Sequence, residues 1–220
     1  MAYILAIETS TKNCSVSLFK GEKLLLTKEE TSDKYLHNEK LTIFIKELLS
    51  QLKIEIKQLD AVAIGKGPGS YTGLRIGTAT AKGLCYSLNI PLISVCSLKA
   101  MAFSRSRESK YKIFCPMIDA KRMEVFSAIY DCNNVELREV KADIVNEKTY
   151  KPFLSEKMLF FGDGAIKCKE VINNKNAQFL ENIFPSSRDF GFLAHQKFIN
   201  KEFEDIAYFE PFYLKDFIKG

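Results

Sequence analysis

Histidine is scarce in this 220-residue sequence: His37 and His195 are the only two. They do not form the pair, four residues apart, that sets two imidazoles on one metal ion, so a histidine-paired metal site is not expected. Long hydrophobic runs are lacking too. Apolar stretches such as 61–64 and 24–26 fall far short of the ~20 residues that cross a bilayer, which excludes a transmembrane helix. The first ten residues, MAYILAIETS, carry an acid at Glu8 and neither a basic start nor a small-residue cleavage site. That is not a secretory signal, and a cytoplasmic location is expected. C-x-x-C pairs are missing as well. The six cysteines stand singly, and Cys14, Cys85, Cys96 and Cys115 lie in apolar or small-residue runs. They read as buried reduced thiols rather than as disulfides or metal ligands.

What is present is an ordinary globular composition, 46% hydrophobic and 27% charged, which buries a core. The length suits one large domain or two lobes of about 100 residues each. Thirty-two basic residues against 27 acids give a net charge of +5, which permits a polyanionic partner without requiring one.

Residues 3–9 are mostly apolar, 14–20 alternate, and a turn at 20–23 precedes 24–27; three antiparallel strands follow from that pattern. Over 34–52 the period changes. Leu41, Phe44, Ile45, Leu48 and Leu52 recur at steps of three and four, one stripe of a helix with Asp33 as its N-cap. A strand at 61–65, a glycine-rich turn, a helix over 72–88 and a strand over 91–96 form a unit that requires parallel strands and a right-handed crossover. A helix is expected over 98–106. The second half is less periodic: strands at 112–117, 124–131 and 158–161, then a helix over 188–203 with Phe192, Leu193, Gln196, Ile199 and Phe203 on its apolar face. The order is that of mixed α/β layers, divided into lobes 1–104 and 105–220.

The turn Gly65-Lys66-Gly67-Pro68-Gly69-Ser70-Tyr71-Thr72-Gly73 lies between a strand and a helix, where backbone amides can turn toward an anion. It fits none of the common templates. A Walker turn needs Lys and Ser or Thr after its last glycine, but Leu74 and Arg75 follow Gly73. The dinucleotide pattern begun at Gly65 meets Ser70 where its third glycine belongs. A nucleophile elbow at Ser70 meets Pro68 and Thr72 in place of glycines.

The helix that follows has two different sides. Gly73, Gly77 and Ala81 stack with Leu74, Leu84 and Leu88 toward a sheet. The other side carries Arg75, Ile76, Ala79, Lys82, Gly83 and Tyr86, and the small residues Ala79 and Gly83 leave room for a second helix backbone. The preceding helix shows Leu36 and Ile43 beside Lys40 and Glu47 on its outer side. Two neighbouring helices with apolar or small outer faces favour a partner surface.

Catalytic candidates are few. His37 reads as a capping or surface polar group. Glu8, followed by Thr9, Ser10 and Thr11, could hold a metal-bridged phosphate or equally hydrogen-bond its own turn. Asp119, Lys121, Arg122 and Glu124 sit at a hairpin, where charge is expected for structural reasons. Lys99, Arg105, Arg107, Lys110 and Lys112 form a basic stretch that reads as a solvated connection, with nucleic-acid contact as its alternative.

Five blocks resemble, in order, the motifs of the bacterial TsaB family: Ile4-Leu5-Ala6-Ile7-Glu8-Thr9-Ser10-Thr11; Gly67-Pro68-Gly69-Ser70-Tyr71-Thr72-Gly73-Leu74-Arg75-Ile76-Gly77; Asp119-Ala120-Lys121-Arg122-Met123-Glu124-Val125; Gly162-Asp163-Gly164-Ala165; and Pro211-Phe212-Tyr213-Leu214. The resemblance implies an actin-like or Hsp70-like ATPase fold, with two ribonuclease H-like lobes of mixed sheets flanked by helices, the second lobe reduced. It implies a non-catalytic scaffold subunit that acts with TsaD and TsaE to make threonylcarbamoyladenosine at the tRNA adenosine 3′ of the anticodon. TsaD would be the partner in a heterodimer, with TsaE in a larger complex, a homodimer in isolation, and indirect or weak contact with tRNA.

On that reading Leu36, Ile43, Arg75, Ile76, Ala79, Lys82, Gly83 and Tyr86 face the partner. Glu8, Thr9, Ser10, Gly67, Gly69 and Ser70 are vestigial phosphate loops, and no catalytic residue, metal or cofactor is expected. Glu8 also stands where many actin-like ATPases carry Asp, and the longer side chain would displace a metal-bridging carboxylate. The competing expectations are an ATP-binding or ATP-hydrolysing enzyme and a peptidase of the M22 type.

Overall fold

The computed structural model describes residues 1–32, 36–106 and 110–215. Residues 1–97 and 186–212 form one compact unit, and residues 98–185 with 213–220 form a second. The expected division at 104 therefore differs in two ways: it falls after Ser97, and 186–212 return to the first unit.

The first unit is built on β1 (Tyr3–Glu8), β2 (Asn13–Lys20), β3 (Lys23–Thr31), β4 (Ala61–Gly65) and β5 (Leu92–Val95). Their order in the sheet is β3-β2-β1-β4-β5. The antiparallel strands β1 to β3 and the parallel pair β4 and β5 are as expected, and β1 in addition pairs with β4 in parallel. Helices α1 (His37–Leu52) and α2 (Tyr71–Leu88) cover one face. Leu41, Phe44, Ile45, Leu48, Ala81 and Cys85 pack there against Leu5, Ile7, Val16, Leu18, Val62 and Ile64.

α1 begins three residues later than expected, after Leu36, without a side-chain cap. Asp33 and Lys34 lie outside the described residues. α2 starts at Ser70, whose Oγ accepts the Gly73 N–H at 3.3 Å, and ends on left-handed Asn89.

Strand side chains alternate between faces, so Ser15, Ser17 and Phe19 point away from α1 and α2. A 3-10 turn (Ser187–Phe190) and α4 (Gly191–Ile199) cover that side. Ser187 Oγ lies 2.7 Å from the hydroxyls of Ser15 and Ser17. α4 is shorter than the expected 188–203, and its buried residues are Gly191 and Ala194. The expected apolar face is not the one that packs: Phe192, Ile199 and Phe203 are exposed, and Leu193 and Gln196 are half-buried. Close approach decides this, because a Cβ at Gly191 would stand 2.6 Å from the Phe19 ring.

In the second unit, reached through α3 (Ser97–Arg105), the sheet runs β10-β9-β6-β7-β8. β6 (Ile113–Asp119), β7 (Glu124–Asp131) and β9 (Met158–Phe161) match the expected strands, while β8 (Glu136–Ile144) and β10 (Ala177–Leu180) were not foreseen. Its core gathers Cys115, Met117, Val125, Ile129, Met158 and Phe160. Among the described residues no helix is long and apolar enough to cross a membrane.

Candidate functional site

The glycine turn between β4 and α2 is filled by the protein's own backbone. A Cβ at Gly69 would fall 2.2 Å from the Ser10 carbonyl oxygen, and one at Gly73 only 2.1 Å from that of Thr9. The Ser70 N–H donates to Ser10 O at 2.6 Å, and Thr9 Oγ1 donates to Gly73 O at 2.8 Å. At Gly67, with φ at +97°, the carbonyl accepts the Ser97 N–H at 3.1 Å. The neighbouring Lys66 carbonyl accepts the Phe212 N–H at 2.7 Å. Glycine is required here so that the 8–13 loop can lie against the turn.

Glu8 sits at the end of β1 and is fully buried. Its Oε1 accepts the Ser10 N–H at 2.7 Å, and its Oε2 accepts the Ser97 Oγ–H at 2.6 Å. Burial raises its pKa, and the donors Ser97, Ser10 and Thr9 offset part of that rise by stabilising the charged form. Of the two uses open to Glu8, the geometry realises the hydrogen-bonded turn. The phosphates of a nucleotide, which the ATPase fold implies, do not fit among these residues. The space between Glu8, Thr9, Ser10 and the turn is taken up by packed main chain and the Glu8 carboxyl group.

The outer helix face is different. On α2, Ala79 and Gly83 are exposed, a Cβ at Gly83 would meet nothing within 4 Å, and Tyr86 is 84% exposed. Arg75 is exposed and lies over the Tyr71 ring at 4.2 Å. On α1, Ile43 is 48% exposed, and Leu36 is half-buried just before the helix.

Two of the expected face residues turn inward. Ile76 is half-buried and packs against the core. The Lys82 ammonium donates to the carbonyls of Ala207 at 3.2 Å and Phe209 at 3.0 Å. This clasp holds the chain's return past the edge of β5, where the Glu204 N–H donates to Leu92 O at 2.9 Å. The return segment, with Tyr208 85% exposed beside the clasp, has no periodic pattern by which the sequence could reveal it. Between the two helices lies a groove of about 410 Å³ lined by Ile45, Leu49, Ile54, Ile56, Thr80 and Leu84 among others.

The remaining candidates serve their own units. His37 is buried rather than on the surface, with Nε2 2.8 Å from Thr11 O, and burial lowers its pKa. At the hairpin, Lys167 pairs with Asp119 and donates to Glu124 O at 2.7 Å, Lys215 pairs with Glu124, and the Asp119 N–H donates to Asp163. Lys121 and Arg122 take left-handed φ at the tip and are exposed. In the basic stretch Lys112 pairs with Glu156 at 3.2 Å, Lys110 lies over the Tyr111 ring, Arg105 is half-buried and Lys99 is exposed. Arg107 lies outside the described residues.

A family model described as TsaD: tRNA N6-adenosine threonylcarbamoyltransferase matches residues 28–216. The tRNA threonylcarbamoyladenosine biosynthesis protein TsaB of Buchnera aphidicola from Acyrthosiphon pisum is 34% identical over 81% of this chain and 84% of its own. TsaB of Bacillus subtilis is 31% identical over 78% and 75%. Among solved structures, YeaZ from Pseudomonas aeruginosa superposes with a TM-score of 0.79 at 26% identity, covering 97% of this chain and 100% of that one. The two mixed sheets flanked by helices thus have the actin-like, Hsp70-like architecture of ribonuclease H-like lobes. The chain belongs to the family that the TsaD model describes and, by its curated relatives, to the TsaB family.

Proposed function

We propose that this chain is a non-catalytic scaffold subunit in tRNA threonylcarbamoyladenosine biosynthesis. Its family membership supports a role in that modification; on this reading the modified base is the adenosine 3′ of the anticodon. In this reading the outer faces of α1 and α2 dock TsaD as a heterodimer, TsaE joins the larger complex, and tRNA contact is indirect or weak. The protein works in the cytoplasm and pairs with itself through the same face when TsaD is absent.

The observation that carries the reading is the open space over Gly83, one turn from exposed Ala79 and beside exposed Tyr86. Small residues there admit a helix backbone, and Ile43 and Tyr86 supply apolar area. Each contributes roughly 1.5–3 kcal/mol if fully buried, before the costs of association. The phosphate loops Glu8, Thr9, Ser10, Gly67, Gly69 and Ser70 are vestigial in this account, because their polar groups already serve one another.

The test is to measure TsaD binding by Gly83→Glu and Ala79→Arg variants whose circular dichroism and melting match the parent chain. Loss of the heterodimer is expected; full binding by folded variants would remove the proposed surface. Calorimetry with ATP and magnesium on the single chain addresses the enzyme reading. Turnover there would overturn the scaffold assignment.

A further inference from the structure

Glu8 combines three features that together go beyond a buried acid. Its carboxylate is wholly removed from solvent. Both oxygens are engaged, by the Ser10 amide at 2.7 Å and the Ser97 hydroxyl at 2.6 Å, with the Thr9 amide contributing to the same group. The carboxyl also takes the whole space above Gly65, where a Cβ would stand 2.5, 2.8 and 2.9 Å from its Oε2, Cδ and Oε1. The donors and the glycine that leaves them room come from the ends of different elements. Thr9 and Ser10 follow β1, Gly65 ends β4, and Ser97 opens α3 just after β5. Successive amides of a turn, joined by a hydroxyl at a helix start, are the donor set that elsewhere closes around an oxyanion of a ligand.

We propose that the Glu8 carboxyl group is a built-in stand-in for a bound oxyanion: it fills this nest from within and holds the 8–13 loop, the end of β4 and the start of α3 together without any ligand. A side chain one methylene shorter would leave its oxygens short of Ser97, because that hydroxyl opens α3 beyond the end of β5, a strand two places from β1 in the sheet. The small glycine at position 65 is the complementary half of the arrangement. It provides the room that the longer acid occupies, and any other residue there would expel the carboxylate. The device differs from ordinary turn capping in one respect. A capping acid satisfies its own loop, whereas this one also binds a hydroxyl 89 positions along the chain.

The consequence is that removing the carboxylate leaves donors aimed at an empty space of carboxylate size. The experiment follows thermal unfolding of the full chain as Glu8→Ala, with sodium formate as the probe and sodium chloride at equal ionic strength as the control. The variant is expected to melt below the parent. Formate should raise its midpoint saturably, with no such shift in the parent or in chloride.

A folded Glu8→Ala variant that melts with the parent, or that responds to formate no more than to chloride, would overturn the proposal. If Glu8→Ala is unfolded with and without formate, a double-mutant cycle between Glu8→Gln and Ser97→Ala decides. Non-additive midpoint shifts support the built-in stand-in, and additive ones reject it.

Discussion

Gly73 and Thr9 lie at close quarters: the Thr9 Oγ1 hydroxyl donates to the Gly73 carbonyl at 2.8 Å, and a methyl on Gly73 would fall 2.1 Å from the Thr9 carbonyl oxygen. Neither neighbour can yield, since Thr9 lies in the buried turn after β1 and Gly73 in the first turn of α2. Gly73→Ala is therefore expected to cost about 3 kcal/mol through overpacking. Gly83, ten residues further along the same helix, has open space around it. Gly83→Ala should instead stabilise the isolated chain by about 1 kcal/mol, the helix-propensity difference. Urea unfolding of the two variants reads both signs at once, and equal effects would contradict the packing described for the turn.

Asp163 provides a pH-dependent counterpart in the second unit. Burial pushes its pKa up to about 6; the nearby Asp119 carboxylate adds to the rise, while the Asp119 N–H and the Lys167 ammonium oppose it. Because the folded value lies above the ordinary 3.8, the folded state holds the proton more tightly. The associated stability is complete below about pH 4 and is lost as pH rises through about 6. Asp163→Asn keeps an acceptor for the Asp119 N–H but carries no charge. Relative to the parent it should gain about 1–2 kcal/mol between pH 4 and pH 7, less than the full shift would give because the site is partly exposed. Denaturant titrations at those two pH values measure the difference, and parallel curves for parent and variant would refute the assignment.

Most of the first sheet was legible because alternation and helical period speak directly of burial on one or two faces. The antiparallel order of β1 to β3 comes from that signal, and the parallel pair β4 and β5 from the strand-helix-strand unit that the two periods delimit. β8 was hidden because Glu136, Arg138, Glu139, Lys141 and Asp143 give it the look of a solvated segment. Only in three dimensions do Arg138 and Asp143 satisfy one another inside the structure. The face of α4 was misread for a related reason: Gly191 and Ala194, not the large apolar residues, make its contact. In the candidate site, exposed Ala79, Gly83 and Tyr86 followed from the helical wheel. The inward turn of Lys82 did not, because its acceptors lie more than a hundred residues away.

Arg138 and Asp143 make a third prediction. The guanidinium donates through Nη1 at 3.1 Å and Nη2 at 2.6 Å, and Ser127 and Tyr150 hydroxyls add bonds to Asp143 Oδ2 at 2.6 and 3.0 Å. Burial alone would raise the Asp143 pKa, but these bonds and the guanidinium charge hold it below its ordinary value. Arg138→Met strands that carboxylate and is expected to cost about 3–5 kcal/mol. Adding Asp143→Leu to the same chain should recover part of the loss, as removal of both charges leaves none unpaired. A double variant no more stable than Arg138→Met would show that the cost lies in packing of the Arg138 stem.

Lys82 tests how the return of the chain is fastened to α2. Its ammonium supplies the donors for the carbonyls of Ala207 and Phe209, and Phe209 is itself buried in the first core. Lys82→Met keeps the stem and removes the charge, so the two carbonyls turn to water while the Phe209 ring keeps its apolar contacts. The global cost should be small, about 1 kcal/mol, because the site is partly solvated. The local effect should be larger, since opening of this segment no longer requires separation of a charged donor from two acceptors. Amide exchange is expected to quicken at Phe209, whose N–H donates to Asp205 O at 2.8 Å, and at neighbouring amides, while strand β1 exchanges as before. Unchanged exchange over 205–209 would mean that burial of Phe209, rather than the Lys82 clasp, fixes the segment against the helix.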